Sequence, residues 1–249
     1  MTSTHAVGVD FGGTGIKGAP VDLEAGEFAG PKQRVDTPQP ATPAAIAAVL
    51  SEMLADISAD KVPVGITVPA VVHAGIVGSA ANIDPSWVGV DADALFTDAL
   101  RRDVHVVNDA DAAGLAEARY GAAKGRGGLV IVTTLGTGIG SALIYNGVLV
   151  PNSELGHLEI DGWDAETRAA NSARVNEDLS YPEWAGRLTT YYSTVEKLFS
   201  PDLIVVGGGV SKSADKFLPY VDIKTPLVPA TLRNTAGIIG AALYAVENR

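Results

Sequence analysis

The chain has 249 residues, a net charge of −11 and no cysteine. The missing cysteines exclude disulfides, thiolate metal sites and a cysteine nucleophile, and the acidic balance argues against a general nucleic-acid binder. No apolar run approaches the ~20 residues that span a bilayer, and the amino terminus lacks a secretory signal. We therefore expect a cytoplasmic protein, with no nucleic acid and no membrane among its partners.

The first part of the chain predicts an α/β lobe. Residues 7–11 and 16–23 are typical of a hairpin, and a helix is predicted to follow the capping residue Thr42. Residues 64–68 and 104–107 form short β-branched runs, with a loop-rich stretch between them. The alanine-rich segment 111–120 then favours a helix that ends at Gly121.

The middle of the chain repeats this layout. Residues 129–134, 140–145 and 148–150 predict an antiparallel meander, with Asn146-Gly147 as its two-residue turn. A capping box at Ser180 and Glu183 starts a long amphipathic helix, residues 203–206 predict a buried strand, and residues 236–246 predict a final helix. We predict a small lobe, 1–108, on which helix 236–249 packs back, and a larger lobe, 109–235.

Glycine-rich turns join the strands of both predicted hairpins. The first is Asp10-Phe11-Gly12-Gly13-Thr14-Gly15-Ile16-Lys17 and the second is Leu135-Gly136-Thr137-Gly138-Ile139-Gly140. Glycines let backbone N–H groups approach a phosphate, although an ordinary tight hairpin has the same composition. A third turn, Gly207-Gly208-Gly209, follows a strand and is a further candidate phosphate contact. Neither of the first two turns is a Walker loop, and the second is not a dinucleotide fingerprint.

Two polar motifs supply candidate chemistry. Asn108-Asp109 ends a strand and opens a helix, so Asp109 is either a candidate base or part of a helix cap. Glu154-Leu155-Gly156-His157 follows the second hairpin, and both polar side chains can bind a polyhydroxylated ligand. His157 is not expected to be a zinc ligand, since the chain has no cysteine and the other histidines lie outside ligand spacing from it. A structural histidine is the alternative to a ligand-binding one.

In order and spacing, these motifs together resemble the ROK family of sugar kinases. Within that family the chain is most similar to the polyphosphate glucokinases, through residues 140–147, 154–162 and 179–188. The resemblance implies an α/β, actin-like ATPase (ribonuclease H-like) two-lobed fold with the active-site cleft between the lobes. By position, the resemblance matches the family's last sugar-binding glutamate to Glu166. The cysteine-rich zinc loop of many family members is absent, and the short gap that results after His157 leaves Glu159 as the alternative.

The resemblance also implies the roles of individual residues. Asp109 is expected to be the catalytic base that takes a proton from the sugar 6-hydroxyl, and Asp10 to hold Mg2+. The expected sugar-binding residues are Asn82, Asn108, Asp109, Glu154, His157 and Glu166. The expected phosphate-binding residues are Asp10, Gly12, Gly13, Thr14, Lys17, Gly136, Thr137, Gly138, Gly208 and Gly209.

The implied activity is phosphorylation of glucose at its 6-hydroxyl by a homodimeric enzyme, with inorganic polyphosphate as donor and ATP as a second candidate donor. A polyphosphate donor requires a basic track, for which the candidates are Lys17, Lys124, Arg126, Lys212 and Lys216. One alternative is a strictly ATP-dependent ROK hexokinase. Another is a non-catalytic sugar sensor, which the intact Asp109 disfavours.

Overall fold

The computed structural model describes residues 4–57, 62–80 and 83–248. The chain divides into two compact units, Met1–Ala116 with Thr235–Arg249, and Glu117–Asn234. None of the described helices is long and apolar enough to cross a membrane.

Both units contain strands and helices. The strands are β1 (His5–Phe11), β2 (Gly15–Asp22), β3 (Glu27–Phe28), β4 (Gln33–Asp36), β5 (Val64–Val68), β6 (Val72–His73), β7 (Ile76–Val77), β8 (Val104–Asn108), β9 (Leu129–Leu135), β10 (Ile139–Tyr145), β11 (Val148–Val150), β12 (Glu159–Ile160), β13 (Trp163–Asp164), β14 (Leu203–Gly207) and β15 (Leu227–Pro229). The α-helices are α1 (Pro43–Ile57), α2 (Ala92–Leu100), α3 (Asp109–Tyr120), α4 (Glu166–Ala169), α5 (Asn171–Asn176), α6 (Tyr181–Phe199) and α7 (Ala236–Glu247). Short 3-10 helices span Pro85–Trp87, Leu155–His157, Gly209–Lys216, Leu218–Tyr220 and Arg233–Thr235.

The main sheets of the two units follow the same path. In the first unit the order is β3-β2-β1-β5-β8, with β4 also paired to β2, and in the second it is β11-β10-β9-β14-β15. In each sheet the first three strands of this path are antiparallel and the last two run parallel to the third. The duplicated layout predicted from the sequence is therefore confirmed in the topology.

The first sheet packs against α1 and α2 through a continuous apolar core. The centroid of the buried Trp87 ring lies 5.8 Å from that of Phe11 and 5.9 Å from that of Phe96. Its indole N–H donates to the carbonyl oxygen of Ala41 at 2.8 Å. This tryptophan thus joins the sheet, α2 and the segment before α1 without leaving its polar atom unpaired.

Helix α7 also packs on this sheet, contacting β1, β5 and β8. The contact is between backbones: a Cβ atom on Gly8 would overlap the carbonyl oxygen of Ile238, and one on Gly65 would overlap that of Ala241. A Cβ on Gly240 would meet the carbonyl oxygen of Ala112 in the same way. Glycine is therefore required at these three positions for the helix to approach so closely.

The core of the second unit is built around α6. Its start carries the predicted capping box, in which Ser180 and Glu183 each bond to the other's backbone N–H. Trp184 is fully buried and donates its indole N–H to the carbonyl oxygen of Ala169 at 3.0 Å. The Tyr192 hydroxyl lies 2.8 Å from Oγ1 of Thr133 on β9, and burial raises the pKa of this phenol.

Buried Glu117 ties the end of α3 to a distant segment of the second unit. Its carboxylate accepts backbone N–H groups of Ala122 and Leu232, each at 2.7 Å, and of Thr231 at 3.1 Å. Three donors compensate the cost of burying this charge. The carboxylate thus fixes the segment that leads from the second unit towards α7.

The structure differs from the sequence predictions in several elements. Helix α3 spans Asp109–Tyr120, so it begins where Asn108-Asp109 was predicted to open a helix and is two residues longer than the alanine-rich segment 111–120. The two compact units divide within this helix, between Ala116 and Glu117. The loop-rich stretch after residue 68 contains the β6–β7 hairpin. Strands β3 and β4 and the helices α2, α4 and α5 were not predicted.

Substitution of Gly65 tests the backbone contact with α7. We expect Gly65→Ala to lower the free energy of unfolding by about 1–3 kcal/mol or more, because the added Cβ forces the helix from the sheet. Gly186→Ala is the matched control, since nothing lies within 4 Å of a Cβ at this exposed position inside α6. It should raise the free energy of unfolding by about 0.5–1 kcal/mol. Urea unfolding measures both, and equal effects would contradict the assigned role of Gly65.

Candidate active site

The first glycine turn links β1 to β2 in the first unit. The N–H of Gly12 donates to the carbonyl oxygen of Gly15 at 3.2 Å, which closes the turn around Gly13 and Thr14. The Thr37 hydroxyl donates to the carbonyl oxygen of Gly12 at 2.6 Å. The N–H of Gly12 is thus used within the turn, and the candidate backbone donors for an anion are those of Gly13 and Thr14.

Asp10 lies at the mouth of this turn, at the end of β1. The antiparallel register places it opposite Lys17 on β2, and the Lys17 Nζ lies 3.3 Å from Oδ2 of Asp10. The Thr67 hydroxyl is 3.3 Å from the other carboxylate oxygen and accepts the N–H of Phe11 at 3.1 Å. Asp10 and Lys17, predicted as separate phosphate-site residues, thus form a partly exposed ion pair.

Asn108 and Asp109 stand where β8 ends and α3 begins. The Oδ1 of Asn108 accepts the N–H groups of Ala110 at 2.8 Å and Asp111 at 3.1 Å, while its Nδ2 donates to the carbonyl oxygen of Ala70 at 3.0 Å. Asn108 is therefore the buried helix cap, and the side chain of Asp109 is exposed in the first turn. The helix dipole favours negative charge at this position.

The second glycine turn links β9 to β10 in the second unit. The N–H of Gly136 donates to the carbonyl oxygen of Gly138 at 3.0 Å. Ser172 on α5 donates its N–H to the carbonyl oxygen of Gly136 at 3.0 Å and its hydroxyl to that of Thr137 at 2.5 Å. As in the first turn, groups from outside the hairpin engage its carbonyl oxygens.

Glu166, at the start of α4, lies against this second turn. Its Oε2 accepts the N–H of Ile139 at 3.0 Å, and a Cβ on Gly138 would overlap the same oxygen. The glycine at 138 thus allows a carboxylate to rest directly on the turn. The structure brings together a predicted phosphate-site residue, Gly138, and a predicted sugar-site residue, Glu166.

Glu154 precedes the 3-10 helix Leu155–His157 in the same unit, and His157 is its last residue. Partial burial raises the pKa of the Glu154 carboxyl, and the negative charge of Glu166 contributes to that rise. The pKa of His157 is also raised, chiefly by its hydrogen bond to Asp164, with Nδ1 and Oδ2 2.9 Å apart. The second unit therefore carries an acidic cluster around one imidazole.

The third glycine turn follows β14. Gly208 has φ 80°, a conformation that favours glycine, and a Cβ there would lie 2.7 Å from the backbone nitrogen of Leu135. The hydroxyl of Ser211 donates to the carbonyl oxygen of Gly208 at 2.8 Å. Gly208 is thus packed against the end of β9, where the second glycine turn begins.

Two further sequence predictions have different outcomes. Asn82 lies outside the described residues, so its role stays a prediction. Glu159 is exposed on β12, in register with Asp164 on β13. Asp164 itself was missed, although the turn Asp161-Gly162 is a hairpin signal that would have placed it beside residue 159.

The two main sheets have equivalent strand orders, and in each a glycine-rich turn joins two antiparallel strands. This is the two-lobed α/β architecture of the actin-like ATPase fold, to which ROK sugar kinases belong. The model of the ROK family matches residues 6–177. The chain belongs to the ROK family.

Curated relatives match almost the whole chain. A polyphosphate glucokinase from Mycobacterium tuberculosis (strain CDC 1551 / Oshkosh) is 49% identical over 248 residues, which are 99% of this chain and 93% of the relative. A polyphosphate glucokinase from Mycobacterium leprae (strain TN) is 48% identical over 244 residues, 97% of this chain and 75% of the relative.

Solved structures match as well. An inorganic polyphosphate/ATP-glucomannokinase from Arthrobacter sp. strain KM has a TM-score of 0.95 and 54% identity, covering 99% of this chain and 100% of its own. A ROK family glucokinase from Streptomyces griseus, in complex with glucose and AMPPNP, has a TM-score of 0.84 and 25% identity, covering 98% and 99%.

The capping role of Asn108 predicts a stability effect separate from any role in catalysis. We expect Asn108→Ala to lower the free energy of unfolding by about 1–2 kcal/mol, since the Asp111 N–H and the buried carbonyl oxygen of Ala70 lose their partner and the Ala110 N–H keeps only Oδ1 of Asp109. Asp109→Asn should change it by under about 1 kcal/mol, because that side chain is exposed. Chemical denaturation of both variants measures the difference, and an unchanged stability of Asn108→Ala would contradict the cap.

Proposed function

We propose that this protein is a polyphosphate-glucose phosphotransferase that transfers a terminal phosphoryl group to the 6-hydroxyl of glucose, giving glucose 6-phosphate. The observation that carries the proposal is Asp109, an exposed carboxylate in the first turn of α3 whose neighbour Asn108 performs the capping. The names of the relatives, polyphosphate glucokinase and polyphosphate/ATP-glucomannokinase, support this donor and acceptor. ATP is included as a second donor.

In the proposed reaction the sugar oxygen forms a bond to the terminal phosphorus while the bridging P–O bond breaks. Asp109 accepts the proton of the 6-hydroxyl, and the shortened polyphosphate, or ADP, leaves. Asn108, Glu154, His157 and Glu166 would bind the other hydroxyls, and Asn82 joins them by family resemblance. Hydrogen bonds to carboxylates and imidazole suit a polyhydroxylated ligand.

Backbone N–H groups of the glycine turns would contact the phosphates. The first turn supplies the N–H groups of Gly13 and Thr14, with Lys17 beside it, and the second unit supplies those of Thr137, Gly138, Gly208 and Gly209. The N–H groups of Gly12 and Gly136 already close their own turns, so these two predicted residues act through the shape of the turn. Such donors stabilise charge that spreads over the transferred group, and positioning supplies most of the catalysis.

The surroundings of Asp10 fit a magnesium ion. Mg2+ in kinase sites is held by one or two carboxylates together with phosphate oxygens and water. Gly237 borders Oδ1 of Asp10, and a Cβ there would lie 3.3 Å from this oxygen, so the glycine keeps the space beside the carboxylate open. When bound, Mg2+ would neutralise charge on the donor phosphates. From the family resemblance, the proposed enzyme is also a homodimer located in the cytoplasm.

The direct test is formation of glucose 6-phosphate from glucose and Mg2+, with polyphosphate or ATP as sole donor. We expect product with polyphosphate, and Asp109→Asn should lower kcat by about 10²- to 10⁴-fold because the general base is lost. Asp98→Asn, which removes an exposed carboxylate on α2, is the matched control and should keep normal turnover. Near-normal turnover of Asp109→Asn would refute its assignment as base.

The outcome for each donor also separates the competing functions. Product with ATP alone would indicate an ordinary ROK hexokinase and remove the need for a basic track. Binding of glucose without product from either donor would indicate a sugar sensor.

A long anionic donor predicts salt-sensitive kinetics. Lys124, Arg126, Lys212 and Lys216 are all exposed in the second unit, and the Lys216 Nζ lies 5.7 Å from the centroid of the Tyr181 ring. We expect KM for polyphosphate to rise with NaCl more steeply than KM for glucose. Lys212→Ala should raise KM for polyphosphate about two- to fivefold, while Lys197→Ala, on α6, should not. Equal salt responses for both substrates would contradict a polyphosphate track.

A further inference from the structure

The hairpin formed by β12 and β13 lies in the chain between His157 and Glu166. Its strands pair Glu159 with Asp164, and its turn residues Asp161 and Gly162 have φ 53° and 77°. Both values are positive, as a two-residue type I′ turn requires. The short hairpin returns the chain so that Asp164 reaches the imidazole of His157.

The carboxylate of Asp164 bonds to both neighbouring site residues. Its Oδ2 lies 2.9 Å from Nδ1 of His157, and its Oδ1 accepts the backbone N–H of Glu166 at 3.2 Å. The carbonyl oxygen of Asp164 accepts the Thr167 hydroxyl at 2.7 Å. The aspartate is therefore held from the α4 side and in turn holds the histidine.

The chemistry of this contact determines which ring nitrogen of His157 carries the proton. An ionised carboxylate has only acceptor sites, so Nδ1 of His157 must be the donor in the bond to Asp164. The other ring nitrogen, Nε2, is then left for a ligand. The same pattern of a carboxylate fixing the orientation and tautomer of an imidazole occurs in catalytic triads and around metal-bound histidines.

We propose that Asp164 is a positioning residue that keeps a proton on Nδ1 of His157 and fixes the ring, so that Nε2 binds a hydroxyl of the sugar. This inference rests on the proposed function for its substrate, but the bond between Asp164 and His157 does not depend on turnover. Asp164 acts through His157 and has no contact of its own with the sugar in this proposal.

The charges around His157 agree with this role. Asp164, Glu166 and Glu154 all face the imidazole and raise its pKa, Asp164 most strongly, while partial burial opposes them. One ligand atom from each of His157, Asp164 and Glu166 lies within 4.8 Å of the others, so a divalent cation at this cluster is the competing explanation. A bound metal would replace the proton on Nδ1, and the test separates the two.

Asp164→Asn is the informative variant because it preserves shape. The Glu166 N–H still requires an acceptor, which orients the amide with its oxygen towards Glu166 and its NH₂ group towards His157. An NH₂ group donates to Nδ1, so the neutral imidazole must shift its proton to Nε2. Asp161→Asn is the matched control: it removes the same charge from the exposed turn of the same hairpin, and asparagine tolerates the positive φ.

Long-range ¹H–¹⁵N spectra of the labelled full chain give the tautomer and pKa of each histidine, with the His157 signal assigned by its loss in His157→Gln. We expect neutral His157 to carry its proton on Nδ1 in the wild-type protein and in Asp161→Asn, and on Nε2 in Asp164→Asn. Its pKa should fall in Asp164→Asn, since the main group that stabilises the cation is lost. The same tautomer in both asparagine variants would overturn the proposal.

Kinetics supply the second readout. Asp164→Asn should raise KM for glucose about tenfold with a smaller change in kcat, as expected for loss of one hydrogen-bonded contact. If Asp164 acts through His157, the double variant His157→Ala/Asp164→Ala should have the same KM as His157→Ala alone. Additive effects would contradict the proposal, as would a wild-type His157 signal that shifts on treatment with EDTA.

The two proposals fail in different ways. If no donor yields glucose 6-phosphate but the spectra show the Nδ1 proton and its loss in Asp164→Asn, the proposed function fails and Asp164 remains the residue that positions His157. If glucose is phosphorylated but the tautomer and KM are the same in Asp164→Asn and Asp161→Asn, the function stands and the positioning role fails.

Discussion

Close approach of backbone to backbone is the constraint on which much of this structure depends. Helix α7 reaches the first sheet only because Gly8 and Gly65 present no side chain to it. In the second unit, Gly156 lies against the carbonyl oxygen of Ile139 and Gly208 against Leu135 in the same manner. Since each contact fails with a single added carbon, these glycines determine where α7 and the turns after β9 and β14 can lie.

Residues with a structural role and residues with a proposed chemical role coincide at several positions. Asn108 caps α3, and the side chain of its neighbour Asp109 is exposed, with Oδ1 accepting the N–H of Ala110 at 2.9 Å. Glu166 accepts a backbone N–H of the second glycine turn and belongs to the acidic group around His157. The capping role uses Oδ1 of Asn108 and one hydrogen of its Nδ2, so the second Nδ2 hydrogen is compatible with the proposed contact to the sugar.

The repeated elements were accessible from the sequence because their signals are local. Runs of β-branched residues identified the central strands, and Asn146-Gly147 identified the hairpin between β10 and β11. The edge strand Gln33–Asp36 was missed because it alternates weakly and owes its conformation to pairing with β2. Helix α2 was missed although Asp91 provides a capping signal, its side chain accepting the N–H of Ala94.

The polar contacts depended on register, which the sequence patterns left open. Asp10 meets Lys17 only because the β1–β2 hairpin pairs those two positions. Asp164 reaches His157 only because a two-residue turn brings β13 back along β12. The motifs therefore identified candidate residues but not the side chains that those residues contact.

The order of segments along the chain has a consequence for synthesis. The second unit is continuous in sequence, whereas the first draws its helix α7 from beyond the second. A ribosome produces the chain from its amino terminus, at about 5–20 residues per second. All contacts of the second unit are thus available before the first can cover one face of its sheet. Until α7 emerges, the strand positions Gly8 and Gly65 offer an open backbone surface, so the first unit completes its packing only after synthesis of the second.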